Sequence, residues 1–183
     1  MNKDNKLIAK ITLKILDKKS WQLLTIDEVN KKSKLKSFNK LIKDKKDLLN
    51  NVNVYFDYSL SLLAKNIEDS NNKDMIFEIL MMRFDILQKN RKAIISIFTL
   101  FKNKPNELIS FLPQLLDSTV LMIKYSKISN RGIIGQLKVK GILIIYILTF
   151  FIWVKDDSPT LEKTMISLDG YLDQAGKILK IIK

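Results

Sequence analysis

The sequence contains no cysteine and no histidine. The first absence excludes disulfides. Together they exclude the usual zinc sites and any catalysis built on a thiolate or an imidazole. Glycine and proline are scarce, at five and three of 183 residues. All-β folds place more of both in turns, and no stretch alternates apolar and polar residues with turn signals at strand spacing. The composition therefore points to an all-α fold. Arginine is nearly missing as well: of 32 basic residues, only Arg83, Arg91 and Arg131 are not lysine. There is no phosphate-cradling glycine loop, nucleophile elbow or metal motif. Helix termini account for acid pairs such as Asp156-Asp157, so the expectation is a protein that is not an enzyme and carries no cofactor.

Two further absences bear on location. The opening MNKDNKLIAKITLKIL interleaves lysine with apolar residues and so lacks the unbroken stretch of a secretory signal. The longest uncharged run, Gly141 to Val154, has fourteen residues, short of the ~20 that cross a bilayer. It reads as a buried helix with no transmembrane segment, and the expected location is cytoplasmic.

What the chain does have is apolar content and positive charge. Hydrophobic residues make up 46%, enough for a core, and the net charge is +13. Residues 1–50 hold 14 lysines against 6 acids. A basic front end suits a polyanion, either nucleic acid or an anionic membrane surface.

Helical periodicity runs through the whole chain. Lys3 to Lys18 reads as an amphipathic helix with Leu7, Ile8, Ile11 and Ile15 inward. Thr25 caps a short helix ending near Lys34, with Glu28 placed to return the hydrogen bond. A second short helix covers Lys36 to Ile42. Asp44 caps a long helix towards Asp69 whose inner face includes Leu48, Val52, Phe56, Leu60 and Leu63. Helices follow over Lys73 to Gln88 and Lys92 to Lys102, then one bearing Pro113. After a loop from Ser129 to Gly135 comes the most apolar helix, Leu137 to Trp153. Ser158 as cap and Pro159 as first residue open the last, with Ile178 on its inner face.

The order of these pieces resembles the TetR family of transcriptional regulators. The matching blocks are Leu24-Thr25-Ile26-Asp27-Glu28-Val29 and Asp44-Lys45-Lys46-Asp47-Leu48-Leu49, the latter similar to the family's S-K-E-E-L-L. F-E-I-L-M-M-R-F-D, L-K-V-K-G and W-V-K-D-D-S-P-T-L-E-K-T-M-I-S-L-D also resemble TetR-like proteins, and the last is similar to TetR-fold ubiquinone-biosynthesis lipid-binding proteins. The sequence departs from the family's I-A-x-x-A-G-V-S turn at Asn30, Ser33 and Lys34. Lys34 stands where glycine is usual, so it must accept a left-handed backbone. The recognition segment is about two residues short.

The resemblance implies about nine helices: a helix-turn-helix head over 1–46 and a ligand-binding and dimerisation bundle over 47–183. In the head, Lys36, Ser37, Asn39 and Lys40 are the candidates for reading bases, and Thr25, Lys43, Lys45 and Lys46 for holding phosphates. The lysine of the second block contacts phosphate in the family, and Lys45 matches it. A small apolar ligand would lie among Phe77, Met81, Phe84, Phe98, Phe101, Phe111 and Met122, with Arg83 or Asp85 as a polar anchor. A homodimer would pack through Ile142, Ile145, Leu148, Phe151 and Ile152, together with Leu161, Met165, Leu168 and Leu172. The implied function is a TetR-like regulator binding DNA. The alternative is a TetR-fold lipid- or isoprenoid-binding accessory protein that has lost sequence-specific DNA binding.

Overall fold

The computed structural model describes residues 1–68 and 70–181, without the side chains of 66 and 178–181. Asp69 and the side chain of Ile178, both read above, fall outside the described residues. Among the described residues there are nine α-helices and no strand. They are α1 (Lys3–Leu16), α2 (Ile26–Ser33), α3 (Phe38–Leu41), α4 (Lys45–Leu63), α5 (Asn72–Gln88), α6 (Arg91–Asn103), α7 (Pro105–Tyr125), α8 (Gly132–Trp153) and α9 (Glu162–Ile181), with a 3-10 turn at Ala64–Asn66. The chain forms two compact units, Met1–Leu62 with Ile86–Gln114, and Leu63–Asp85 with Leu115–Lys183. The boundary expected at 46/47 lies inside the first unit, which also takes in α6.

In the first unit, α1 packs against both α2 and α6. Two neighbours need a broader buried face than one, and the face is Ile8, Ala9, Thr12, Leu13, Ile15 and Leu16. Leu7, expected inward, is exposed, and Ile11 is half-buried. Thr12 tolerates burial because its hydroxyl donates to the Ile8 carbonyl at 2.9 Å. Thr25 caps α2 by accepting from the Glu28 amide at 3.2 Å. The Glu28 carboxylate turns to Lys19 and Lys32. Hydrogen bonds from these two lysines hold its pKa below the usual carboxylate range.

Lys34 does adopt the left-handed conformation, at φ 54° and ψ 25°. Ser33, one of the departures from the family pattern, steadies this turn. Its hydroxyl donates to the Asn30 carbonyl at 2.8 Å and accepts from the Leu35 amide at 3.3 Å. Only Phe38–Leu41 become helical where Lys36 to Ile42 was expected. Phe38 is buried and anchors this short segment. Asp44 accepts from the Asp47 amide and the Asp47 carboxylate accepts from the Lys43 amide, both at 2.8 Å, so the start of α4 is capped from both sides. On α4, Leu48, Val52, Phe56 and Leu60 are buried, but Leu63 is exposed because the helix gives way to the 3-10 turn there.

In the second unit, α8 packs against α9. Its buried side chains are Val139, Ile145, Tyr146, Thr149 and Trp153. α8 starts at Gly132, five residues before the expected Leu137. Its first turns include a close backbone approach at Gly135. A Cβ there would sit 2.1 Å from the Asn130 carbonyl carbon, so only glycine lets the preceding loop cross the helix. The helix is 22 residues long, about 33 Å, and by length and composition it could cross a membrane. Lys138 and Lys140 interrupt it, so its longest uncharged stretch remains the run that begins at Gly141. The expectation of a buried helix needs correcting, since only 28% of its apolar window is buried.

α9 starts at Glu162 rather than Pro159. Ser158 still caps it, accepting from the Glu162 amide at 2.9 Å, while Leu161 turns left-handed at φ 56°. Asp156 organises this corner from a fully buried position. Its carboxylate accepts from the Ser158 amide (3.1 Å) and hydroxyl (2.6 Å) and from the Thr164 amide (2.8 Å) and hydroxyl (2.7 Å). Burial opposes its charge, but the four hydrogen bonds outweigh burial and lower its pKa from 3.8 to about 2.

That lowered value predicts a pH dependence. Asp156 should contribute about 2 kcal/mol above pH ~4, where folded and unfolded carboxyls are both ionised. The contribution should fade as pH drops from 3.8 through about 2, where the folded carboxyl is protonated too. Asp156→Asn should remove it, so urea midpoints of wild type and variant should converge in acid. Lys34→Gly should raise stability by about 1 kcal/mol by relieving the left-handed lysine. An unchanged urea midpoint would refute that expectation.

Candidate nucleic-acid interface

α2, the Lys34 turn and α3 present a face rich in exposed lysine. Lys36, Lys40, Lys43 and Lys46 are exposed, and so are Thr25 and Asn39. Lys31, Lys32 and Lys34 are exposed as well and were not singled out from sequence. The amide of Asn30 donates to Asn39 at 3.3 Å, tying α2 to α3 side chain to side chain. Asn30 is another departure from the family pattern, and here it orients the asparagine that was expected to read a base.

Two further expected contacts are also occupied within the fold. The Ser37 hydroxyl donates to Asp4 at 2.7 Å, which fixes the start of α3 to α1. The Lys45 ammonium donates to the carbonyls of Trp21 (3.1 Å) and Gln22 (3.2 Å). Partial burial, and then the nearby charge of Lys104, lower its pKa. Lys45 thus fastens the connection between α1 and α2 to the start of α4. No signal in a single sequence distinguishes a lysine that holds carbonyls from one that awaits phosphate.

The same connection is bonded a second time. The Trp21 amide donates to the Ser96 hydroxyl at 2.6 Å, so α6 also holds it. Beside this bond lies an open cleft of about 470 Å³, lined in part by Lys19, Trp21, Lys92, Ser96 and Thr99. None of the residues expected to line a ligand cavity borders it. Those residues divide between the units. In the first, Phe101 stacks on Phe111 with ring centroids 5.6 Å apart, and Phe98 is half-buried. In the second, Phe84 packs on Tyr146 at 5.5 Å, Phe84 and Met122 are fully buried, and Phe77 and Met81 are half-buried. Arg83 is 1% exposed, whereas Asp85 is exposed and so cannot anchor a buried ligand.

The residues expected at a dimer surface also separate. Ile145, Leu161, Leu168 and Leu172 are buried within the chain itself and offer little surface to a partner. Leu148, Phe151 and Met165 are exposed, and Ile142 and Ile152 are half-buried. Ile144 and Ile166 extend the exposed set. The sequence showed that α8 is apolar on all sides but not which side α9 covers.

No protein-family model and no curated protein matches the chain. Its structure is similar to the crystal structure of a TetR transcriptional regulator from Nitrosomonas europaea, with a TM-score of 0.74 at 16% identity. The alignment covers 94% of this chain and 97% of that one. A helix-turn-helix head followed by long helices is thus the architecture of a known class. The fold is TetR-like.

The two roles open to Lys45 predict different losses. Lys45→Met should cost about 1 kcal/mol of stability in urea, because two carbonyls lose their donor. Lys46→Met, at an exposed side chain, should leave stability unchanged. Equal stability of both variants would show that the Lys45 bonds contribute nothing to the fold.

Proposed function

We propose that the protein is a TetR-like transcriptional regulator that binds DNA as a homodimer. The observation that carries this reading is the exposed face around the Lys34 turn. Asn39 and Lys40 on α3 stand beside Lys36, Lys43 and Lys46, all open to solvent. Asparagine pairs with adenine edges, and lysine with guanine or with phosphate. The TetR-like fold supports the arrangement, because a two-fold dimer sets two such heads on two half-sites. Leu148, Phe151, Met165 and their exposed neighbours supply an apolar surface for the dimer. A small apolar ligand bound in the helical body would shift the population between two dimer states and so change DNA affinity.

A second reading is a lipid- or isoprenoid-binding accessory protein on the same fold. The four-residue α3 and the Ser37 hydroxyl held by Asp4 favour it. Both reduce what the head can offer to base edges.

Fluorescence anisotropy with the DNA upstream of its own gene separates the two. The regulator should bind at low salt, and Lys43→Gln/Lys46→Gln, which removes two phosphate contacts per head and four per dimer, should flatten the salt dependence by about 3 to 4 logarithmic units per decade of salt. If low salt yields no binding, the regulator reading is lost. An isoprenoid or phospholipid that co-purifies, identified by mass spectrometry, would then support the accessory role. Light scattering should find a dimer that Leu148→Asp/Phe151→Asp converts to monomer.

A further inference from the structure

The corner between α7 and α8 carries three large apolar side chains in solvent. Ile133 is 90% exposed, Ile134 57% and Leu137 48%. At about 100° per residue, Ile133 and Leu137 share a face of α8 with Ile134 beside them. On the same helical wheel Lys140 falls at one edge of that face and Lys138 beyond the other, while Gly135 and Val139 lie on the buried side. An apolar strip bordered by lysines is the pattern of a helix lying in a membrane interface.

The charge of the segment is one-sided. From Ser118 to Lys155 there is no aspartate or glutamate, but there are Lys124, Lys127, Arg131, Lys138, Lys140 and Lys155. The corner is also built to hold its shape. The loop crosses α8 at Gly135, where Asn130 leaves no room for a Cβ. Lys127 and Gly132 take left-handed backbone, at φ 56° and 66°. The Gly135 amide donates to the Arg131 carbonyl at 3.2 Å. A preformed tip has little ordering entropy left to lose on binding.

We propose that this corner docks on an anionic lipid bilayer. Ile133, Ile134 and Leu137 enter the interfacial layer, and Arg131, Lys138 and Lys140 meet headgroup phosphates. Charge complementarity selects this occupant. A nucleic acid would take the lysines but leave the isoleucine pair uncovered. A second copy related by two-fold symmetry would set like charges against each other. A membrane crossing would carry Lys138 and Lys140 about 10 Å into hydrocarbon, where cations are costly. The inference is independent of the DNA-binding reading.

Co-sedimentation of the full chain with phosphatidylcholine vesicles, with and without phosphatidylglycerol, tests it. Binding should need the anionic lipid and be released by salt. Ile133→Asn/Ile134→Asn should weaken it by about tenfold or more without changing helicity or oligomeric state. Lys138→Gln/Lys140→Gln should weaken it less. The chain has no other thiol, so Ile133→Cys carrying a polarity-sensitive dye should shift to the blue on anionic vesicles alone. The proposal is overturned if anionic vesicles are not bound, or if the isoleucine variant binds as wild type, which would point to other lysines. It is also overturned if that variant breaks up an oligomer, which would make a second copy the occupant. Retention on vesicles through alkaline carbonate washing would mean that α8 crosses the bilayer.

Discussion

α8 is apolar around its circumference, and α9 laid against it covers one side. A contiguous apolar face left in water marks a contact surface. The inner side holds Tyr146 and Trp153 in the unit's core. The outer side, from Ile133 to Phe151, must be covered by something else, and its two ends differ. Towards the turn into α9 it carries the exposed Leu148 and Phe151, whereas at the loop end Arg131, Lys138 and Lys140 border it. One helix thus divides its uncovered surface between two kinds of contact.

Much of the head could be read from the sequence because short-range chemistry sets it. The caps at Thr25 and Asp44 lie within three residues of the amides they serve, and both form. The left-handed turn at Lys34 was expected from the family resemblance, because glycine is usual at that position, and it forms. What could not be read depends on distant partners. Glu28 was placed to return a cap bond, but Lys19, nine residues away, takes its carboxylate. Pro159 has the sequence of a first helical residue. The buried Asp156 instead binds the Thr164 amide, and the helix starts three residues later. α8 begins at Gly132 and is crossed closely by Asn130 at Gly135, and no periodicity reports a crossing.

The candidate site shows the same limit. Exposure of Lys36, Asn39 and Lys40 agrees with a reading face, and their type and spacing made them visible. Lys45 matched a family position, yet its ammonium is bound to Trp21 and Gln22. Side-chain identity gives what a residue can bond, and the surrounding fold gives what it does bond. The departures from the family turn illustrate this: Ser33 and Asn30 look like losses in a sequence pattern, but each forms a bond that the usual alanine cannot.

The chain has two tryptophans, and each compact unit holds one. Trp21 is 4% exposed and Trp153 is fully buried. The indole emission of this protein is therefore two separate optical signals, one from each unit, and each should shift to the red when its surroundings open. With either ring replaced by phenylalanine, the remaining one tells whether the two units unfold together or one before the other.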